Sequence, residues 1–124
     1  MTPVELLNGG WVTDGGLETD LIFNHGMDLP EFAAFPLVHD AEGAALLGRY
    51  YAEYAAVAAR AGAGLLLETP TWRANPDWGR ILGYDAADLD RINRAAVALV
   101  RAAVDAAGVP HSRVSGCVGP RGDG

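Results

Sequence analysis

The chain has 124 residues with 9 basic and 16 acidic side chains, so its formal net charge is −7 at pH 7. Nucleic-acid binding depends on Lys and Arg that displace phosphate counterions, and this acidic balance predicts no nucleic-acid partner. Half of the residues are hydrophobic, which is enough for a buried core and excludes a disordered chain. Every hydrophobic run is far shorter than the roughly 18 to 20 residues of a membrane span, so no membrane association is expected.

The cellular compartment is suggested by two features of the sequence. A single cysteine, Cys117, cannot form an internal disulfide, and Met1–Glu5 lacks the basic and hydrophobic regions with which a signal peptide begins. Both features predict a reducing, cytoplasmic location.

The first half of the chain predicts a strand and two helices. Trp11–Thr13 is a β-prone run between glycine pairs and predicts a buried strand. A short helix is expected over Leu17–Asn24, followed by an irregular connection rich in glycine and proline. Asp40 is the predicted N-cap of a long helix that ends at Gly62. Its buried face is predicted from the spacing of three and four residues: Leu47, Tyr50, Tyr51, Tyr54, Val57, Ala58 and Ala61.

The next segment predicts a central strand and a long connection. Leu65–Leu67 is a continuous apolar run, which is typical of a parallel strand covered on both faces. Pro70–Asp85 is predicted to be irregular, with one helical turn near Trp78–Leu82.

The last segment predicts a helix and a third strand. Asp85 is the expected N-cap, Asp88 lies near the positive start of the helix, and Gly108 marks its end. A strand is predicted to begin over Arg113–Gly116, followed by a terminal loop. The expected buried face of this helix consists of Leu89, Ile92, Ala96, Leu99, Val100, Ala103 and Val104. The alternation of strands and helices predicts an α/β fold with a parallel βαβαβ sheet.

Polar residues cluster where each predicted strand ends, at Asp14–Gly16, Glu68–Trp72 and Cys117–Pro120. Parallel α/β folds build their active sites at this end of the sheet. In the first segment, the two glycines let a ligand approach the backbone, their N–H groups can bind a carboxylate, and Asp14 can pair with a cation. An amino acid carries both groups, although Asp-Gly-Gly is also a common tight turn.

The side chains after the second strand allow two interpretations. Glu68 either faces a cavity and pairs with a ligand cation, or is a solvated charge or a partner of Arg73. Thr69 and Thr71 either position a ligand or satisfy the loop backbone, and the backbone role is favoured for Asn75.

Neither a nucleophile nor a metal site is expected in this chain. Cys117 has no evident histidine partner, and the three histidines are far apart in the sequence, so Cys117 is interpreted as pocket wall or core. The dinucleotide and phosphate fingerprints do not occur in the sequence. The tyrosines at positions 50, 51 and 54 are expected to pack their helix against its neighbours.

Three segments together resemble the homocysteine S-methyltransferases. Asp14–Leu21 is similar to the opening signature of that family, Asp-Gly-Gly followed by Thr-x-Leu. Ala61–Gly64 leading to Glu68–Asn75 resembles its Ala-Gly-Ala and Thr-Asn-Thr-aromatic-x-Ala-Asn pattern. Ser115–Pro120 resembles its third-strand Gly-Ser-Ile-Gly-Pro. The three motifs occur in the family's order and cover essentially the whole chain.

The resemblance implies a fold and a reaction. Members of the family form a (β/α)8 TIM-type barrel and transfer a methyl group from S-methylmethionine, betaine or a methylfolate to homocysteine, giving methionine. Because such a barrel needs roughly 250 residues, residues 1–124 are expected to be the N-terminal part of a single homocysteine-binding barrel domain, with its first three strands. The barrel is therefore incomplete in this chain.

The resemblance also assigns roles to residues. Asp14 would bind the substrate amine, and the backbone at Gly15 and Gly16 would bind its carboxylate. The substrate pocket would also be lined by Glu68, Thr69 and Thr71. Pro70 stands where the family usually has Asn, which leaves the choice of methyl donor open.

A zinc ion is implied as the cofactor that keeps the homocysteine sulfur deprotonated. In the family its ligands are a cysteine and a later Cys-Cys pair, which are expected here beyond Gly124. Cys117 stands where serine is common and matches none of them. No catalytic residue and no metal ligand is therefore assigned to this chain, which is expected to be inactive alone.

Two other interpretations remain. One is a small oligomeric α/β module that binds an amino-acid-like ligand without catalysis, with its exposed sheet edges covered by another copy. The other is a barrel enzyme of different chemistry that shares only the amino-acid pocket.

Overall fold

A computed structural model describes residues 10–122 of the chain. The expectation for Met1–Glu5 and the end of the predicted terminal loop lie outside the described residues. The described part contains three strands and four α-helices, with two short 3₁₀ segments, Pro30–Phe32 and Phe35–His39, in one connection. In chain order the elements are β1 (Trp11–Thr13), α1 (Leu17–His25), α2 (Ala41–Ala61), β2 (Gly64–Glu68), α3 (Pro76–Leu82), α4 (Ala86–Ala107) and β3 (Ser112–Ser115).

The three strands form one parallel sheet in the order β1-β2-β3. In its register Val12 is opposite Leu65, and Leu66 is opposite Arg113. Leu65 and Leu67 are fully buried, as expected for a central strand between two neighbours. The predicted α/β fold with a parallel βαβαβ order is confirmed. The predicted burial of β1 is wrong, because two of its residues are half-buried and one is exposed.

Helix α2 begins and ends where the sequence predicts. The Asp40 carboxylate accepts a hydrogen bond from the Gly43 N–H at 2.8 Å, which caps the first turn. Gly62 ends the helix in the left-handed conformation, with φ of 64°. A side chain at Gly43 would not fit, because its Cβ would lie 2.7 Å from the Leu37 carbonyl oxygen.

The predicted buried face of α2 is partly wrong. Tyr50 and Tyr51 are buried as predicted, together with Leu47 and Ala58, but Val57 is 43% exposed. Ala61, the last residue of the helix, is also exposed. Ala55 is buried instead, so the buried face is rotated away from Val57.

Helix α4 agrees closely with the predicted pattern. Asp85 and Asp88 form a reciprocal capping box, in which each carboxylate accepts the backbone N–H of the other residue, at 2.8 and 3.0 Å. Leu99 and Ala103 are half-buried rather than buried. The remaining predicted core residues of this helix are buried: Leu89, Ile92, Ala96, Val100 and Val104.

The structure corrects two element boundaries. Pro76–Leu82 is a helix of seven residues rather than a single turn, because the Asn75 side chain accepts the N–H groups of Asp77 and Trp78, each at 3.2 Å. The backbone role expected for Asn75 is thereby confirmed as an N-cap. Strand β3 is Ser112–Ser115, so it begins and ends one residue earlier than the segment predicted from the sequence.

Two valines of α4 test how much of the stability comes from its buried face. Val100 is fully buried and Val97 is 38% exposed. We expect Val100→Ala to lower the free energy of unfolding by about 2 kcal/mol, because it removes two buried methyl groups and leaves a cavity. Val97→Ala should change it by less than about 0.5 kcal/mol. Urea unfolding of the complete protein, followed by circular dichroism, measures both, and equal losses would contradict the assignment of the core.

Candidate functional site

The carboxyl ends of the strands surround a cavity of about 290 Å³. Its wall consists of Asp14, Gly15, Leu17, Glu18, Phe32, Glu68, Thr69, Trp72 and Cys117. Four of the six residues predicted for the substrate site are therefore on this wall. The other two, Gly16 and Thr71, are next to wall residues in the chain. The structure thus brings together residues that are up to 103 positions apart in the sequence.

Asp14 is held at both of its carboxylate oxygens. Oδ1 accepts the backbone N–H of Glu68 at 2.8 Å, and Oδ2 lies 3.0 Å from the hydroxyl oxygen of Tyr50. The same hydroxyl lies 3.0 Å from the carbonyl oxygen of Gly15. These contacts join the end of β1 to the end of β2 and to α2. Asp14 therefore has contacts that a tight turn alone would not require.

A second tyrosine of α2 fixes the end of β2. The Tyr51 hydroxyl donates a hydrogen bond to the Glu68 carbonyl oxygen at 2.7 Å. Its ring packs edge-to-face against that of Tyr50, with 5.1 Å between centroids. The sequence predicted the packing of these tyrosines but missed their hydrogen bonds. The available signal was that a buried phenol needs a polar partner.

The cavity wall is acidic. Burial raises the pKa of the Asp14 carboxyl, and the hydrogen bonds from Glu68 and Tyr50 oppose that change. Burial also raises the pKa of Glu18, the charges of Glu68 and Asp14 add to the increase, and the charge of Arg73 opposes it. Asp14 and Glu18 are thus partly desolvated, and Glu68 adds a third carboxylate to the same wall, an arrangement that favours a cationic ligand group. Glu18 was not predicted as a site residue, because helix residues near a strand end face several directions.

An aromatic pair forms another part of the wall. The rings of Phe32 and Trp72 meet edge-to-face, with 6.4 Å between centroids. The buried Arg73 guanidinium stacks on Trp72 and on Trp78, at 4.4 and 3.9 Å from the ring centroids. Such stacking restricts the orientation of Trp72. Trp72 belongs to the strand-end segment Glu68–Trp72 that the sequence placed at the active-site end, but neither Trp72 nor Phe32 was named as a site residue.

Two threonines join the loop after β2 to the loop after β3. Cys117 N–H donates to Thr69 Oγ1 at 3.0 Å, and Thr71 Oγ1 donates to the Cys117 carbonyl oxygen at 2.8 Å. Because the Thr71 proton is used in that bond, Thr69 is the donor in the 2.7 Å contact between the two hydroxyls. The result is a closed ring of three hydrogen bonds. Both threonines therefore satisfy loop backbone, and Thr69 also faces the cavity.

Cys117 lies on the cavity wall, in agreement with its interpretation as wall rather than nucleophile. Burial and a hydrogen bond with Glu68 raise the pKa of its thiol to about 12, so the thiol is protonated at neutral pH. That is the opposite of what a nucleophile or a metal ligand needs. Within residues 10–122, no group of three or more His, Cys, Asp or Glu side chains could hold a metal ion. The donor set of the described residues therefore does not fit the zinc ion implied by the family resemblance.

Comparison with known protein families shows which family the chain belongs to. A family model described as homocysteine S-methyltransferase matches residues 11–124. The chain belongs to the homocysteine S-methyltransferase family. The match includes all three motif segments and confirms the resemblance. Neither the curated proteins nor the solved structures that were compared with the chain gave a match.

Membership of the homocysteine S-methyltransferase family indicates an enzyme that acts on small molecules, an acceptor and a methyl donor. None of the helices in the described range combines the length and the hydropathy that crossing a membrane requires.

The threonine ring can be tested by removing one hydroxyl. Thr71→Val keeps the shape of the side chain but leaves the Cys117 carbonyl without its donor and the Thr69 hydroxyl without its acceptor. In urea unfolding of the complete protein, we expect the free energy of unfolding to fall by about 2 kcal/mol, because buried polar groups lose their partners. Thr19→Val, at an exposed position of α1, is the control and should change it by less than about 0.5 kcal/mol. Similar values for the two variants would show that the ring contributes no stability.

Proposed function

We propose that the complete cytoplasmic protein transfers a methyl group to the sulfur of homocysteine, giving methionine. In this proposal, residues 1–124 supply the part of the site that holds the amino and carboxylate groups of the acceptor. The observation that carries the proposal is the position of Asp14, whose carboxylate is fixed at two points beside an acidic cavity. Family membership supports the reaction type.

Asp14 is suited to binding an ammonium group. Each of its carboxylate oxygens accepts one hydrogen bond from the protein, which leaves further lone pairs for a ligand. An α-ammonium group offers three donors and a positive charge. Glu18 and Glu68 on the same wall add to the attraction. Partial desolvation of the cavity strengthens such a pair compared with the same pair in water.

The carboxylate of the acceptor would bind at Gly15–Gly16. Gly16 is the N-cap residue of α1, where backbone N–H groups and the helix dipole favour an anion. A Cβ at Gly15 would lie 3.0 Å from the Tyr54 hydroxyl, so a side chain is disfavoured there and the backbone stays accessible. Thr69 and Thr71 complete the proposed substrate pocket. Thr69 lies on its wall, and Thr71 contacts Thr69 in the hydrogen-bond ring.

The reaction is a displacement at the methyl carbon. The acceptor sulfur forms the new S–CH₃ bond while the bond between the methyl group and the donor breaks, and the acceptor thiol gives up its proton. The zinc ion implied by the family would bind the acceptor sulfur as a thiolate, and the proton would pass to solvent. In the part of the chain that the structure describes, no group of three or more His, Cys, Asp or Glu side chains could hold such an ion. We therefore propose that the zinc ligands lie outside these 124 residues and that this segment alone does not catalyse the transfer.

The sheet edges support a larger fold. Strands β1 and β3 each pair with β2, and β3 is only partly buried. Val118, just after β3, is 97% exposed. A closed barrel covers such edges with further strands. We propose that residues 1–124 are the N-terminal part of a single (β/α)8 barrel domain.

The same edges could instead pair with another copy, as in a small oligomeric module that binds an amino-acid-like ligand without catalysis. Light scattering of the expressed 124-residue chain distinguishes the two. The barrel proposal predicts aggregated or unfolded material, because the edges lack their partner strands. A folded oligomer of uniform size would support the module and contradict the barrel proposal.

Asp14→Asn in the complete protein tests the role of the carboxylate. We expect the KM for homocysteine to rise by roughly 10- to 100-fold, because a charged hydrogen bond worth about 1.5–3 kcal/mol is lost. The value of kcat should change much less, because the amine is remote from the sulfur. The matched control is Asp90→Asn at an exposed position of α4, which should leave KM unchanged. An unchanged KM in Asp14→Asn would refute the proposed role.

A further inference from the structure

We propose that Tyr50 is a positioning residue for the acceptor, because its hydroxyl holds both the Asp14 side chain and the Gly15 carbonyl in the loop after β1. This inference rests on the proposed function of Asp14 as the group that binds the substrate amine. In this inference, a residue of α2 that lies outside the three family motifs orients the carboxylate that binds the amine.

The geometry separates Tyr50 from an ordinary core residue. It is 4% exposed, and its hydroxyl oxygen lies 3.0 Å from Asp14 Oδ2 and 3.0 Å from the Gly15 carbonyl oxygen. A phenol has one proton, so these two acceptors share it. The hydroxyl therefore connects the side chain and the backbone of adjacent residues in one loop.

The two contacts of Asp14 together fix the plane of its carboxylate. The Glu68 N–H holds Oδ1 at 2.8 Å, and Tyr50 holds Oδ2. With only one of these contacts the carboxylate could rotate about the remaining hydrogen bond. Binding of a ligand ammonium would then have to fix the orientation of the Asp14 carboxylate, which lowers the affinity.

The ring of Tyr50 is itself held in place. It packs edge-to-face against Tyr51 and Tyr54, with 5.1 Å between centroids in each pair. Phenylalanine would fill the same space and make the same ring contacts. The hydroxyl is thus the part of Tyr50 that acts on Asp14.

The hydroxyl also favours the ionised form of Asp14. Burial raises the pKa of Asp14 and the charge of Glu68 adds to this, whereas the hydrogen bond from Tyr50 lowers it. The other titratable groups around Asp14 and Tyr50 come from three elements. They are Glu18 and Asp20 from α1, Tyr51, Glu53 and Tyr54 from α2, and Cys117 from the loop after β3. Removing the hydroxyl therefore raises the Asp14 pKa. When the pH is lowered, Asp14 is then protonated at a higher pH than in the wild type, and binding of the amine is lost at that higher pH.

The test compares Tyr50→Phe with Tyr51→Phe in the complete protein. Each variant loses one hydroxyl, but only the first contacts Asp14. For Tyr50→Phe we expect about a tenfold rise in the KM for homocysteine and a much smaller change in kcat. The acid limb of the pH profile of kcat/KM should shift to higher pH. For Tyr51→Phe the acid limb should keep its position.

A double mutant and an NMR titration complete the test. In the Asp14→Asn background, Tyr50→Phe should add no further rise in KM, because the two residues act as one unit. The carboxyl carbon of Asp14, followed by NMR, should titrate at higher pH in Tyr50→Phe than in the wild type. Independent, multiplicative effects on KM, or an unchanged Asp14 titration, would overturn the inference. If the wild type does not methylate homocysteine but the Asp14 titration responds as expected, the proposed function fails and the contact with Tyr50 stands.

Discussion

The hydrogen bonds to the Asp14 carboxylate are the contacts on which the candidate site depends. A partly buried carboxylate is unfavourable unless its oxygens have partners. Here the partners come from β2 and α2, namely the Glu68 N–H and the Tyr50 hydroxyl. Satisfying one charged group thus fixes the end of β1 against β2 and α2. The loop after β1 is thus held to β2 and α2 through its own acidic side chain.

The remaining wall of the cavity follows from a second set of contacts. The ring formed by Thr69, Thr71 and the Cys117 backbone joins the loops after β2 and β3. Gly119 lets these loops meet, since a Cβ there would overlap the Trp72 carbonyl oxygen. Together with the Asp14 network, these bonds connect the ends of all three strands. Binding groups supported in this way keep their geometry when a ligand arrives.

The sequence predicted the positions of the strands and helices well, because capping residues and apolar spacing are local features of the chain. Asp40 and Asp85 cap their helices as expected, and the apolar spacing located the buried face of α4. Val57 was placed in the core wrongly, since the spacing alone does not give the rotation of α2 to within one side chain. The helix at Pro76–Leu82 was underestimated because its stability begins with a side-chain cap from Asn75.

The site was predictable only in part, because some residues of the cavity wall are brought together only by the packing of the elements. The Asp-Gly-Gly motif pointed to Asp14, and strand ends pointed to Glu68 and Thr69. Glu18, Phe32 and Trp72 could not be assigned, since whether a helix or loop side chain faces the cavity depends on how the elements pack. The zinc implied by the resemblance has no ligand set among the described residues.

The most direct test of amine recognition by Asp14 is a comparison of two ligands by calorimetry of the complete protein. Homocysteine and 4-mercaptobutanoate differ only in the α-amino group. We expect the wild type to bind homocysteine roughly 10- to 100-fold more tightly, and we expect Asp14→Asn to remove most of this preference. Equal affinities in the wild type, or a preference that survives in Asp14→Asn, would contradict the claim that Asp14 recognises the amine.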